Sequence, residues 1–469
     1  MLRPLIRLEI VKLLRDSRIA AVTITFAVVF LVSGIASAIE VRQNARVKAA
    51  TAAEERQRWL NQGEKDPHSA AHYSVYAFKP SLPMQAVDPG IVPFVGETVW
   101  LEAHLQNDLL SRPQQDADGF ERLGLVDPSS LLTRFGPLVM LLLAFAVAAH
   151  ERQLGVLGLA LATTSKRWLY LAAKVTSITA LGVLALVVPL VLAGASSVLI
   201  NDAHSSDAVI RLAGWAVAAS AYVGIVAMLA VSLSLLATSV QTAFAGLLAL
   251  WVAIVLAALP AATALAAWSR PLPSYQQVKI AVAKDAAAYW TPEEGAEYIE
   301  RLLQQYGAAS EGELASRNVN SRGALLDLME RRAHVVFDRE IGGFYDRVEA
   351  QDRAYVWLGW LSPAVAFDVV SAALAGTDFA HHRHFIEAAE QYRRGLVNRM
   401  NEDLIPHPAI DGNEHTNNLG LWSEIPPFTY TPIPASRAIR STWPAALALA
   451  SWFVAGVAAA TCSIRRIRP

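Results

Sequence analysis

Residues 212–269 contain no Asp, Glu, Lys or Arg, and no other feature restricts the fold as much. As one helix that stretch would run roughly 87 Å at about 1.5 Å per residue. A bilayer core is about 30 Å thick, so the stretch reads as two membrane spans joined by a short turn. The polar cluster Thr238-Ser239-Val240-Gln241-Thr242 marks the turn. Other charge-free apolar runs lie at 19–39, 135–149, 175–200 and 441–464. The expectation is a mainly α, polytopic membrane protein with six transmembrane helices, at 19–39, 131–149, 171–200, 210–237, 243–268 and 441–464. Two long insertions, 40–130 and 270–440, would build an α-rich or α+β domain outside the bilayer.

Charge places the two sides. The segment before the first span carries Arg3, Arg7, Lys12, Arg15 and Arg18; the loop at 150–170 carries Arg152, Lys166 and Arg167; the tail carries Arg465, Arg466 and Arg468. The loop 201–209 holds Asp202 and Asp207 and no Lys or Arg. The positive-inside rule puts both termini and the 150–170 loop in the cytoplasm and both insertions outside it. Ala36-Ser37-Ala38 resembles a signal-peptide cleavage site. The long charge-free run before it, the acidic residues Glu9 and Asp16, and the parity of the spans favour a retained helix.

Composition removes several function classes. The chain is 17% charged, against about 25% for soluble domains, and its net charge of −1 gives no basic field for nucleic acid. Cys462 is the only cysteine, so an intrachain disulfide is ruled out, and inside the last span it reads as a small packing residue. Phosphate-loop, Gly-x-Ser-x-Gly, His-Glu-x-x-His and Cys-x-x-Cys motifs are all absent. The spans lack ionisable groups near their centres, unlike ion-coupled carriers. No catalysis and no cofactor are therefore expected of this chain. The one metal candidate weighed, His381-His382-Arg383-His384, reads as a solvated helix start with Glu387 and Glu390 as surface charges, because His381 and His382 point to different faces. No metal site is expected.

Along the chain, residues 1–18 read as a helix on the membrane surface, with Leu2, Ile6, Ile10 and Leu13 in one stripe. The first span continues as helix through Val41 to Leu60, after which Pro67, Pro80, Pro83, Pro89 and Pro93 break regular structure. Thr291-Pro292-Glu293-Glu294 reads as a helix start. An amphipathic helix follows Asp378, with Phe385, Ala388, Tyr392 and Leu396 on one face. The proline-rich stretch Ile425–Pro434 reads as extended.

The most specific signal is the loop from His150-Glu151-Arg152-Gln153-Leu154-Gly155-Val156-Leu157 to Ser165-Lys166-Arg167-Trp168 and Lys174. It leaves one span with a charged pair, forms a short apolar helix and returns on basic residues. An element tied so closely to two spans can pass a rigid-body push from a soluble partner into the bundle. This loop resembles that of membrane subunits of ABC exporters of the type-2 permease class. The positions that match are Glu151, Gly155, Leu157, Arg167 and Lys174; Val156, Thr164 and Ala173 depart from the usual Thr, Pro and Gly. Residues 383–404 resemble a stretch of bacterial permeases with large insertions after the first and fifth spans, a subfamily known mainly as a domain of unknown function.

The resemblance implies a non-enzymatic permease subunit in a bacterial inner membrane. It would pair with a second permease subunit, as a homodimer or heterodimer, and bind an ABC ATPase subunit that holds ATP and Mg. ATP hydrolysis would drive export of a substrate or mechanical work on an extracytoplasmic client. Glu151, Arg152, Gly155, Lys166 and Arg167 are the expected ATPase-coupling residues, with Arg3, Arg7, Glu9 and Lys12 as a second surface. The alternative is a membrane-anchored binding or sensor protein without transport.

Overall fold

Long runs of Ala, Leu and Val with few breakers favour helix, and the chain is 79% helical. The computed structural model describes residues 2–112, 127–164, 166–200, 206–288, 291–409 and 414–467. Asp202 and Arg468, used in the charge argument above, and Ser165 of the 150–170 loop motif lie outside the described residues. Helix α1 (Leu2–Arg15) is followed at once by α2 (Ser17–Leu60), a single helix of 44 residues capped by the Asp16 side chain. Then come α3 (Pro67–Tyr73) and an antiparallel sheet in the order β1 (Val75–Phe78), β2 (Thr98–Glu102), β3 (Leu105–Leu110). Helix α4 (Pro128–Ala144) leads into the short helices α5 (Ala149–Gln153) and α6 (Leu157–Thr163). The long helices α7 (Arg167–Leu199), α8 (Ser206–Leu236) and α9 (Val240–Ser269) follow. Between the last two, Ser239 forms a capping box with Thr242. The later helices are α10 (Tyr275–Ala287), α11 (Pro292–Tyr306), α12 (Ser321–Phe337), α13 (Gly343–Trp357), α14 (Pro363–Ala375), α15 (Phe379–Leu404) and α16 (Trp443–Arg466).

Among the described residues, seven helical segments are long and apolar enough to cross a membrane, one more than the sequence predicts. The additional segment is Pro363–Leu404. It is α14 and α15 joined at Gly376, which sits at φ 77° in the left-handed region where glycine is favoured. Several long apolar helices of this kind are what a multi-pass membrane protein requires.

Two cores organise the chain. The first joins the long apolar helices and also takes in α14: Phe367 stacks on Tyr222 at 4.9 Å, and Trp215 donates its indole N–H to Ser371 at 2.8 Å. Ser362 Oγ, at the N-terminus of α14, donates to Ile254 O inside α9 at 2.6 Å. Thus residues 363–375, within the stretch read as the second insertion, pack among the long apolar helices through their small apolar side chains. The turn before α14 exposes Trp360 and Leu361, and Trp357 packs edge-to-face on Trp443.

The second core is a headpiece shared by both insertions. Trp59 and Trp422 are fully buried in it with their rings 6.2 Å apart. Trp59 donates to Trp422 O at 2.8 Å and Trp422 donates to Gly63 O at 2.9 Å. Val99, Leu101 and Leu109 of the sheet meet Phe385, Leu396 and Met400 of α15 in the same cluster.

The start of α15 departs from expectation. Asp378 caps it, but His381 and His382 are buried rather than solvated. His381 is held by Asp378 and lies 3.4 Å from the Arg211 guanidinium of α8. Burial, with Lys79 nearby, lowers the His382 pKa to about 3, so that ring is neutral. Glu390 is buried too, paired with Arg393 and Arg394, whereas Glu387 stays at the surface with Arg383. The cause is a partner distant in sequence. Arg211 also donates to Ala373 O at 3.2 Å and Leu374 O at 3.0 Å, and to Ile433 O, fastening the C-terminus of α14 and the proline-rich stretch to α8.

Candidate functional site

The loop between α4 and α7 meets α1 at the end of the bundle that carries both chain termini. Glu151, on α5, is buried. Its Oε1 accepts from Lys174 Nζ of α7 at 2.9 Å and from Lys12 Nζ of α1, and its Oε2 accepts from the Tyr170 hydroxyl at 2.5 Å. Lys174, with no side-chain exposure, also reaches Glu9 Oε2 at 3.2 Å and Val147 O at 3.2 Å. One carboxylate therefore joins three helices. A buried lysine is tolerable only where such partners offset its desolvation.

Arg152 turns the other way. Its guanidinium donates to Leu235 O at 2.6 Å and Ala237 O at 2.6 Å, satisfying the last carbonyls of α8. The backbone N–H groups of Ala148 and Ala149 donate to Ser234 Oγ at 3.2 and 3.3 Å, so the start of α5 is fixed to α8 as well. Arg167 donates to Ile467 O at 3.1 Å, tying the return of the loop to the chain's C-terminal segment.

Between α5 and α6 the chain reverses at Gly155, where φ is 71° and a Cβ would meet nothing within 4 Å. The glycine serves the turn and not a close approach. Gly155→Ala is expected to cost about 1–2 kcal/mol of backbone strain without a clash, read as a lowered unfolding midpoint of the purified protein. The turn leaves an apolar crest that the rest of the chain does not cover: Leu154 is 62% exposed, Val156 41% and Leu159 65%. On α1, Arg3, Arg7 and Leu8 are exposed, while Glu9 faces inward and Lys12 is shared between the surface and Glu151.

Of the residues the sequence singles out, Glu151, Glu9 and Lys12 come together with Lys174. Arg152 and Arg167 bind helix ends, Gly155 shapes the turn, and Lys166, Arg3 and Arg7 are exposed. Glu151 does not present its carboxylate to a partner; it lies behind the exposed crest. Sequence reading missed Tyr170 and Ser234, whose side chains carry no local pattern.

A family model described as a domain of unknown function (DUF3526) matches residues 277–431. The match runs from α10 to the proline-rich stretch, covering the later part of the headpiece with α13 and α14, and stops short of the 150–170 loop. No curated protein and no solved structure matches the chain.

Proposed function

We propose that this chain is the membrane-spanning permease subunit of a type-2 ABC exporter, working with a separate ATPase subunit and a second permease subunit. In this reading six helices cross a bacterial inner membrane: α2, the 128–153 segment, α7, α8, α9 and α16. Segment 363–404 is not a seventh span, because α14 has 13 residues, about 20 Å of helix, and α15 carries many charged side chains. The termini and the 150–170 loop are cytoplasmic, and the headpiece stands outside.

The observation that carries the reading is the Glu151 cluster behind an exposed apolar crest. A partner seated on Leu154, Val156 and Leu159 would push on α5, and Glu151 would pass the displacement to α1 and α7 together. Energy must come from elsewhere, since this chain has no nucleotide-binding motif. ATP and Mg then belong to the partner, and this chain is not itself an enzyme. The transported species, or the extracytoplasmic client on which work is done, meets the headpiece or the bundle.

The test is purification of the tagged chain from its native host. An ABC ATPase subunit is expected to accompany it; recovery of the intact chain without one would overturn the exporter and favour an anchored binding protein. Leu154→Asp with Leu159→Asp is expected to lose about 2 kcal/mol or more of ATPase-subunit binding, with an unchanged unfolding midpoint because the rest of the chain leaves both side chains largely uncovered. Undiminished co-purification would remove the crest from the interface.

A further inference from the structure

The headpiece holds three histidines arranged as ligands. His68 and His72 stand one helical turn apart on α3, so both project from the same face. His104 sits at the β2–β3 turn, with φ 65°. The three ring centroids form a near-equilateral triangle with sides of 4.9, 4.9 and 5.0 Å. One ligand nitrogen from each ring lies within 4.8 Å of the other two. His68 Nε2 and His104 Nε2 are 3.1 Å apart. Zinc–nitrogen bonds of about 2.0–2.1 Å in a tetrahedron put ligand nitrogens about 3.3–3.4 Å apart. That pair already has the required spacing, and the exposed His72 ring is free to swing in.

The groups behind the rings decide which nitrogens face inward. Asn401 Oδ1, from α15, lies 2.9 Å from His68 Nδ1. Glu330 Oε1, from α12, lies 2.6 Å from His104 Nδ1 and also accepts the His104 backbone N–H at 2.6 Å. Both Asn401 and Glu330 are fully buried. With Asn401 Oδ1 accepting from Nδ1–H, His68 keeps its Nε2 lone pair for a metal, as outer partners of metal-bound histidines do, while Glu330 anchors the His104 backbone and sets a negative charge beside its ring. The 3.1 Å between the two Nε2 atoms suits a hydrogen bond when one of them carries the proton, and a shared cation when both are bare. His72 is exposed, so the site opens to solvent on one side.

We propose that His68, His72 and His104 bind one borderline divalent transition metal ion, of the zinc class, with the fourth position open to water or to a ligand atom from outside. Three neutral imidazoles without thiolate or carboxylate suit zinc, copper or nickel over calcium or magnesium. The ion would clamp α3 to the β2–β3 turn, on groups supplied by both insertions. The site is independent of the exporter reading.

The test is metal binding by the full chain in detergent after chelator treatment, with cobalt(II) and then zinc as probes. Wild type is expected to take up one cobalt per chain with the visible absorption of a tetrahedral site, displaced by zinc. In His72→Ala, an exposed position where folding is not at stake, affinity is expected to fall at least about tenfold. His415→Ala is the control, because Asp403, His407 and His415 form a second close group; it is expected to bind as wild type does. No stoichiometric uptake by wild type, undiminished binding in His72→Ala, or loss in His415→Ala alone would each overturn the proposal.

Discussion

Glu151→Ala is expected to destabilise the protein by about 3–5 kcal/mol, because it strands a buried lysine. Lys174 has no side-chain exposure and would keep Glu9, the Val147 carbonyl and the face of the Tyr170 ring, without its closest carboxylate. Lys12 is about half exposed and can turn to water, so most of the cost falls on Lys174. The measurement is thermal unfolding in detergent beside the ATPase rate of the assembled complex. Glu151→Leu combined with Lys174→Met should recover much of the stability, since apolar replacement of a buried pair is often neutral or better. The double variant should not recover coupling, because the link from α5 to α1 stays broken. An unchanged midpoint in Glu151→Ala would show that the cluster does not hold the three helices together.

Trp422→Ala is expected to cost about 3–5 kcal/mol by opening a cavity in the headpiece. It also removes the indole donor to Gly63 O and the ring contact with Trp59. Because both insertions share that core, limited proteolysis should attack residues 61–112 and 291–425 together while the apolar helices stay protected. Cleavage confined to the second insertion would mean that the first folds on its own.

The membrane character was legible because a bilayer excludes charge over about 20 consecutive residues, and 212–269 announces that directly. The helix starts at Thr291 and Asp378 were legible for a related reason: capping is local, and the structure has both side chains accepting backbone N–H bonds. Helix α14 was not. Its 13 residues, interrupted by Asp368, are too short for a span signal, and partners distant in sequence such as Tyr222 and Trp215 on α8 reveal where it packs. Burial of His381 was hidden likewise, since its cover comes from Arg211, 170 positions away. In the loop, residue types pointed to the right place but not to the right geometry. Glu151 reads as a surface charge until Lys12, 139 positions earlier, closes over it. The His68–His72 spacing was visible in the sequence; the hairpin that brings His104 to it was not.

Helix α2 has one more consequence. Its 44 residues run without a break from the Asp16 joint to Trp59 in the headpiece core, roughly 66 Å of rod at about 1.5 Å per residue. A rod of that length multiplies small rotations. A tilt of about 5° at Asp16 would carry Leu60 roughly 6 Å sideways, from the length given by the helical rise. Its first end adjoins α1, which Glu151 holds through Lys12, and its far end is packed into the core shared by both insertions. One continuous helix therefore joins the charged cluster to the headpiece.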